Sequence, residues 1–114
     1  MQRTIESWKE QIREDVARHR VMIYAKGEKD AAQCGYSHGA MEVFRRLGVD
    51  FEVRNVLADE NLMDAICEYT DWPTIPQVFL DGTFVGGCDI VTELYQSGEL
   101  QQRLGLAARG ATDQ

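Results

Sequence analysis

Thr74-Ile75-Pro76-Gln77-Val78-Phe79-Leu80-Asp81-Gly82-Thr83-Phe84-Val85 reads as two short strands folded onto each other. Gln77–Leu80 and Thr83–Val85 are the strands, and Asp81-Gly82 joins them. That dipeptide favours positive φ and marks a two-residue hairpin. The first half of the chain has a different rhythm. Val21-Met22-Ile23-Tyr24 is a short apolar run expected as a buried strand. Lys26-Gly27 ends it, and a polar loop runs to Gln33. From Gly35 to Leu47, Ala40, Val43, Phe44 and Leu47 share a helical face, and Gly48 stops the helix. Phe51 to Val56 alternates and reads as a second strand. Such a β-α-β half calls for parallel strands with a right-handed crossover. Together with the hairpin, it predicts an α/β fold: one four-stranded mixed sheet flanked by helices on both faces.

The flanking segments supply those helices. Ile5, Trp8, Ile12 and Val16 fall on one face, with Thr4 as N-cap and Glu6 in the first turn. Leu62, Ala65, Ile66 and Tyr69 repeat at helical spacing after Asp59-Glu60. Ile90, Val91, Leu94 and Tyr95 follow Asp89, read as a cap, and Gly98 ends that helix. Glu99 to Leu104 adds a short helix. Residues 105–114 are small and polar and read as a flexible tail. A chain of 114 residues favours one domain, here 1–104 including the N-terminal helix.

The formal charge is −7, from 12 basic and 19 acidic residues. That balance argues against nucleic-acid and membrane-surface partners, which need a basic face. The three cysteines, Cys34, Cys67 and Cys88, are odd in number and widely spaced, unlike a secreted disulfide framework. Met1 to Val16 carries Glu6, Glu10, Glu14 and Asp15, so no targeting peptide is expected. The expected compartment is a reducing cytoplasm.

Cys34-Gly35-Tyr36-Ser37 carries the chemistry. It reads as a Cys-x-x-Cys redox motif whose second cysteine is serine. Cys34 therefore cannot close an internal disulfide with position 37 and must work with an added thiol, a metal centre, or both. It sits where loop gives way to helix, and free N–H groups there lower a thiol's pKa. Gly35 leaves the backbone beside the sulfur uncrowded. Tyr36 either shields the thiol or packs on the domain. Ser37 is read first as a first-turn residue and second as a donor to sulfur.

Trp72-Pro73-Thr74-Ile75-Pro76 holds both prolines. The bond before Pro76 is either cis, leaving Ile75 to pair with an extended peptide, or part of an ordinary proline-bounded turn. Gly86-Gly87-Cys88-Asp89 opens the last long helix, and free N–H groups there suit a carboxylate. Asp89 is a cap that can also meet an ammonium. Cys88 is read as packed rather than resolving, and Cys67 as structural. Lys26 is a solvated lysine unless it lies near Cys34. No C-x₂₋₄-C element supports a zinc site.

With these stretches in order, the chain resembles the monothiol glutaredoxins, the single-domain kind whose motif is Cys-Gly-Phe-Ser. The likeness runs from Thr4 to Leu104. Its markers are Lys26-Gly27, Cys34-Gly35-Tyr36-Ser37, Trp72 to Gln77, Gly86 to Ile90 and Ser97-Gly98-Glu99-Leu100. The resemblance implies a thioredoxin fold with cis Pro76 and Cys34 as the catalytic, metal-binding thiol. It implies glutathione held by Lys26, the Ile75 backbone and the Cys88-Asp89 helix start. Met63 falls where the family commonly has an arginine gripping glutathione's glycine carboxylate, and Cys67 replaces a second basic residue. Losing such a contact costs on the order of 1.5–3 kcal/mol.

The resemblance further implies a labile [2Fe–2S] cluster, ligated by glutathione and shared between two subunits of a homodimer. Its delivery to iron–sulfur acceptor proteins would serve cluster biogenesis and iron homeostasis. The alternatives are a glutathione-dependent disulfide oxidoreductase acting in deglutathionylation, and a regulatory partner of BolA-type proteins.

Overall fold

The computed structural model describes residues 2–106. The tail expected over 105–114 lies, from 107 on, outside the described residues. Among the described residues are five α-helices and six strands: α1 (Ile5–Arg18), β1 (Val21–Ala25), β2 (Gly27–Glu28), β3 (Ala31–Ala32), α2 (Gly35–Leu47), β4 (Glu52–Asn55), α3 (Glu60–Thr70), β5 (Gln77–Leu80), β6 (Thr83–Gly86), α4 (Cys88–Ser97) and α5 (Glu99–Arg103).

The main sheet is four-stranded, in the order β4-β1-β5-β6. β1 pairs with β4 in parallel and with β5 antiparallel, and β5 pairs antiparallel with β6. This is the expected thioredoxin-type mixed sheet. The turn residues behave as their types require, with φ at 50° for Asp81 and 83° for Gly82.

β1 and β5 are apolar throughout because the sheet is covered on both faces. Alternate residues feed two separate cores. Val21, Ile23, Val78 and Leu80 pack with Ala40, Phe44, Val91 and Leu100 of α2, α4 and α5. Met22, Tyr24 and Phe79 face the other way, onto Trp8 and Ile12 of α1 and Leu62 and Ile66 of α3. The second core contains a polar centre. Buried Asp15 accepts from Arg54 Nε and Nη2 at 2.7 and 2.8 Å and from the Tyr24 hydroxyl at 2.8 Å. Burial pushes its carboxyl up, but these donors outweigh it and hold the group below the usual carboxylate range.

Three details differ from the sequence reading. The loop after Lys26 contains a tight hairpin, β2–β3, entered through Gly27 at φ 109°. A Cβ at Gly27 would sit 2.5 Å from the Ala31 carbonyl oxygen, so this turn needs glycine. The strand expected over Phe51–Val56 is confined to β4. Asn55 turns its side chain onto the Leu57 N–H and starts a 3₁₀ turn at Val56–Ala58. The cap of α4 is Gly87, with Asp89 in the first turn, so Asp89 is free of capping work.

Candidate active site around Cys34

The loop-to-helix junction places Cys34 as the N-cap of α2, with extended backbone at φ −147° and ψ 134°. Its side chain makes no capping bond, which leaves the sulfur available. The Ser37 backbone N–H is the main influence holding the Cys34 thiol below its ordinary range. Burial opposes it, while the Tyr36 N–H, the Ser37 hydroxyl and the Lys26 charge add to it. The unbonded donors of a helix start therefore favour the thiolate over the thiol.

Ser37 does more than occupy the first turn. It is fully buried, and its Oγ accepts from the Lys26 N–H at 3.0 Å. The Lys26 carbonyl accepts from Gln33 N–H at 2.9 Å, and the Gly27 N–H donates to Asn55 Oδ1 at 2.9 Å. The end of β1 is thus tied on both sides, which holds Lys26 beside the thiol.

Next to Cys34 lies an open cleft of about 530 Å³. It gathers Lys26, Met63, Ile75, Pro76, Cys88 and Asp89, drawn from the loop after β1, from α3, from the approach to β5 and from the start of α4. Cys34 is not itself in the lining; Tyr36, two residues on, and Lys26, whose charge acts on the Cys34 sulfur, line the wall. The Ile75-Pro76 peptide bond is cis. Cys88 is packed between helices: its Sγ lies 3.0 Å from where a Cβ on Gly39 would be, so glycine at 39 lets α2 and α4 approach there. Cys67 lies on α3, and burial, with the Asp64 charge, pushes its thiol up.

The other lining residues are ones that the sequence pattern does not by itself bring into a cleft. Trp72, Pro73 and Thr74 form one wall, Ile90 and Gly87 another. Trp72 rests against Phe84, with ring centroids 5.9 Å apart. Gln77 holds this wall from behind. Fully buried, it donates through Nε2 to the Trp72 carbonyl at 2.9 Å and the Thr74 carbonyl at 3.2 Å, and accepts from Thr70 Oγ1 at 2.7 Å. A glutamine opening an otherwise apolar strand was the available signal. Among the described residues, no group of three or more His, Cys, Asp or Glu side chains converges as a metal site.

The glutaredoxin family model matches residues 21–85, which include β1, Cys34, α2, the cis proline and the hairpin. The chain belongs to the glutaredoxin family. Within it, the chain is similar to the monothiol members. It is 49% identical over 89 residues to monothiol glutaredoxin-S7, chloroplastic, of Oryza sativa subsp. japonica, covering 78% of this chain but only 53% of the rice protein. It thus spans about half the length of that relative. It is 48% identical over 99 residues to an uncharacterized ycf64-like monothiol glutaredoxin of Synechocystis, covering 87% of this chain and 92% of the other. The reduced apo form of poplar GrxS14 superposes with a TM-score of 0.77 at 42% identity, over 88% of this chain and 92% of that one. This monothiol glutaredoxin therefore has the thioredoxin fold of its relatives, with Cys34 at the motif position.

Proposed function

We propose that this glutaredoxin binds glutathione in the Cys34 cleft and, as a homodimer, carries a labile [2Fe–2S] cluster to iron–sulfur acceptor proteins. The observation that carries the reading is a single activated thiol, Cys34, with a buried serine at the position where a partner cysteine would be. A [2Fe–2S] centre takes four thiolates. Each chain offers one, Cys34, so two chains and two glutathione thiols complete the set. Lys26 and Asp89 both line the cleft; their charges suit a carboxylate and an ammonium, and the N–H groups opening α4 suit a second carboxylate. A cluster held half by exchangeable small molecules suits cargo better than a fixed redox centre.

Anaerobic reconstitution with iron, sulfide and glutathione tests this. The expected result is a coloured dimer that loses its colour to an apo acceptor ferredoxin. A colourless monomer would sink the reading.

The lowered pKa of Cys34 also favours a disulfide-exchange reading. The Cys34 thiolate attacks a glutathionylated protein, forming a Cys34–glutathione disulfide and releasing the protein thiolate. Free glutathione then attacks that disulfide, giving oxidised glutathione and regenerating Cys34. Turnover on a glutathionylated peptide measures this route. Pairing with a BolA-type protein, in which a partner ligand would replace one subunit's share, is the regulatory form of the same site. A stable coloured heterodimer on co-purification is its readout. The reading places the protein in a reducing cytoplasm, where Cys34, Cys67 and Cys88 stay free.

A further inference from the structure

Trp72-Pro73-Thr74-Ile75-Pro76 lines the cleft along its whole length, yet it belongs to no helix or strand. Residues 72–74 are exposed, and the two prolines have no N–H to donate. The Trp72 N–H donates to the Cys67 carbonyl at 3.2 Å. Among the described residues, no other backbone–backbone hydrogen bond holds this segment. Its remaining hydrogen bonds come from one side chain. Gln77 Nε2 donates to the carbonyls of Trp72 and Thr74, on either side of Pro73. Its Oε1 accepts from the hydroxyl of Thr70, the last residue of α3. One carboxamide therefore fastens the wall to α3. Gln77 is fully buried and is not in the lining, so it acts on the cleft only through the wall. The influences on the Cys34 sulfur come from Ser37, Tyr36 and Lys26, none of which Gln77 touches. The wall and the thiol are thus held by separate parts of the fold.

We infer that Gln77 is a positioning residue for ligand binding: it fixes the 72–76 wall before a ligand arrives and leaves the reactivity of Cys34 untouched. This rests on the proposed reading of the cleft as a glutathione site. Without the carboxamide, the Trp72 and Thr74 carbonyls turn to water and the segment loosens. A loosened wall has to be ordered again on binding, and that cost is taken from the affinity. Affinity and thiol chemistry are then separable, one carried by Gln77 and the other by the start of α2.

Two measurements on the reduced, anaerobic protein test this. A chemical-shift titration with glutathione gives the affinity, and iodoacetamide labelling across pH gives the Cys34 midpoint. Gln77→Met, of similar length but without hydrogen-bonding groups, is expected to weaken glutathione binding by about tenfold, the scale of ordering one or two further residues. Its Cys34 midpoint is expected to match that of the native protein. A role in stability alone would lower the unfolding midpoint and leave the affinity as it was. Gln77→Asn keeps a buried carboxamide but is one methylene short of the two carbonyls. It should weaken binding in the same direction, and it decides the matter if the methionine variant does not fold. A folded variant of either kind that binds glutathione as the native protein does would overturn the inference. So would a Cys34 midpoint that moves together with the affinity, because the change would then not be confined to the wall. If glutathione shifts no cleft resonance of the native protein, the glutathione reading falls and this inference with it. Native binding that survives in the variants defeats only the inference.

Discussion

Cys34 and Cys67 are both free, both partly exposed and both carried by helices, yet their thiols are pushed in opposite directions. Cys34 caps the start of α2, where backbone N–H groups have no intrahelical partner and favour the charged thiolate. Cys67 lies inside α3, where every nearby N–H is spent on the helix, and it packs against the core formed with α1. Burial therefore dominates at Cys67, and the Asp64 carboxylate adds to it. For these two cysteines, position along the helix, more than exposure, sets the direction in which the thiol is pushed.

The largest expected effect is the asymmetry of removal. Cys34→Ser should abolish both the reconstituted colour and turnover on a glutathionylated peptide, whereas Cys67→Ser should keep both. Visible absorbance and a coupled glutathione assay read the two outcomes. If Cys67→Ser is the variant that goes dark, the comparison breaks.

The pH dependence of alkylation comes next. A thiolate reacts and a thiol does not, so each rate rises with pH until the group is ionised. The Cys34 profile should have its midpoint below the free-thiol value of about 8.5, and the Cys67 profile above it. Iodoacetamide labelling followed by mass spectrometry resolves the two sites. Coincident or reversed midpoints would refute the proposed environments.

Ser37→Ala sharpens the Cys34 side. It removes the buried acceptor of the Lys26 N–H. The orphaned donor should cost about 1–3 kcal/mol in urea unfolding. The Cys34 midpoint should rise as well, because the Ser37 hydroxyl is lost, while Cys67 stays put. An unchanged unfolding curve would mean that this bond carries no weight.

The smallest effect is expected for Lys26→Gln. Its charge is the last of the influences on Cys34, acting after the backbone donors. The Cys34 midpoint should rise slightly, and the difference from the native protein should shrink as salt screens the lysine. A shift larger than that of Ser37→Ala would reverse the order of causes.

Much of this architecture was readable in the chain because its signals are local. The apolar run of β1, the Asp81-Gly82 turn and the glycine stop at Gly48 each depend on a few neighbouring residues, and each formed where expected. The β2–β3 hairpin was missed because its strands have two residues each and show no periodicity. The early end of β4 was missed because alternation continues to Val56 while the Asn55 side chain redirects the backbone. Asp89 was read as a cap because aspartate is a common cap, but Gly87 fills that position.

For the site, the sequence by itself determined the chemical inventory. It showed a thiol at the start of the first helix after β1 and a serine that forbids an internal pair at position 37; the resemblance to the monothiol glutaredoxins added a methionine where that family commonly has a cation. Only the tertiary structure decided how these groups meet. Whether Lys26 was a solvated lysine or a partner of Cys34 depended on the Ser37, Gln33 and Asn55 bonds that hold the end of β1. Whether Trp72 and Ile90 were stray apolar residues or walls of one cleft depended on α4 closing against the segment before β5. Spacing along a chain records which groups are present. Distances between segments tens of residues apart arise from core packing and buried hydrogen bonds, and those distances turn Cys34 from a lone thiol into a site.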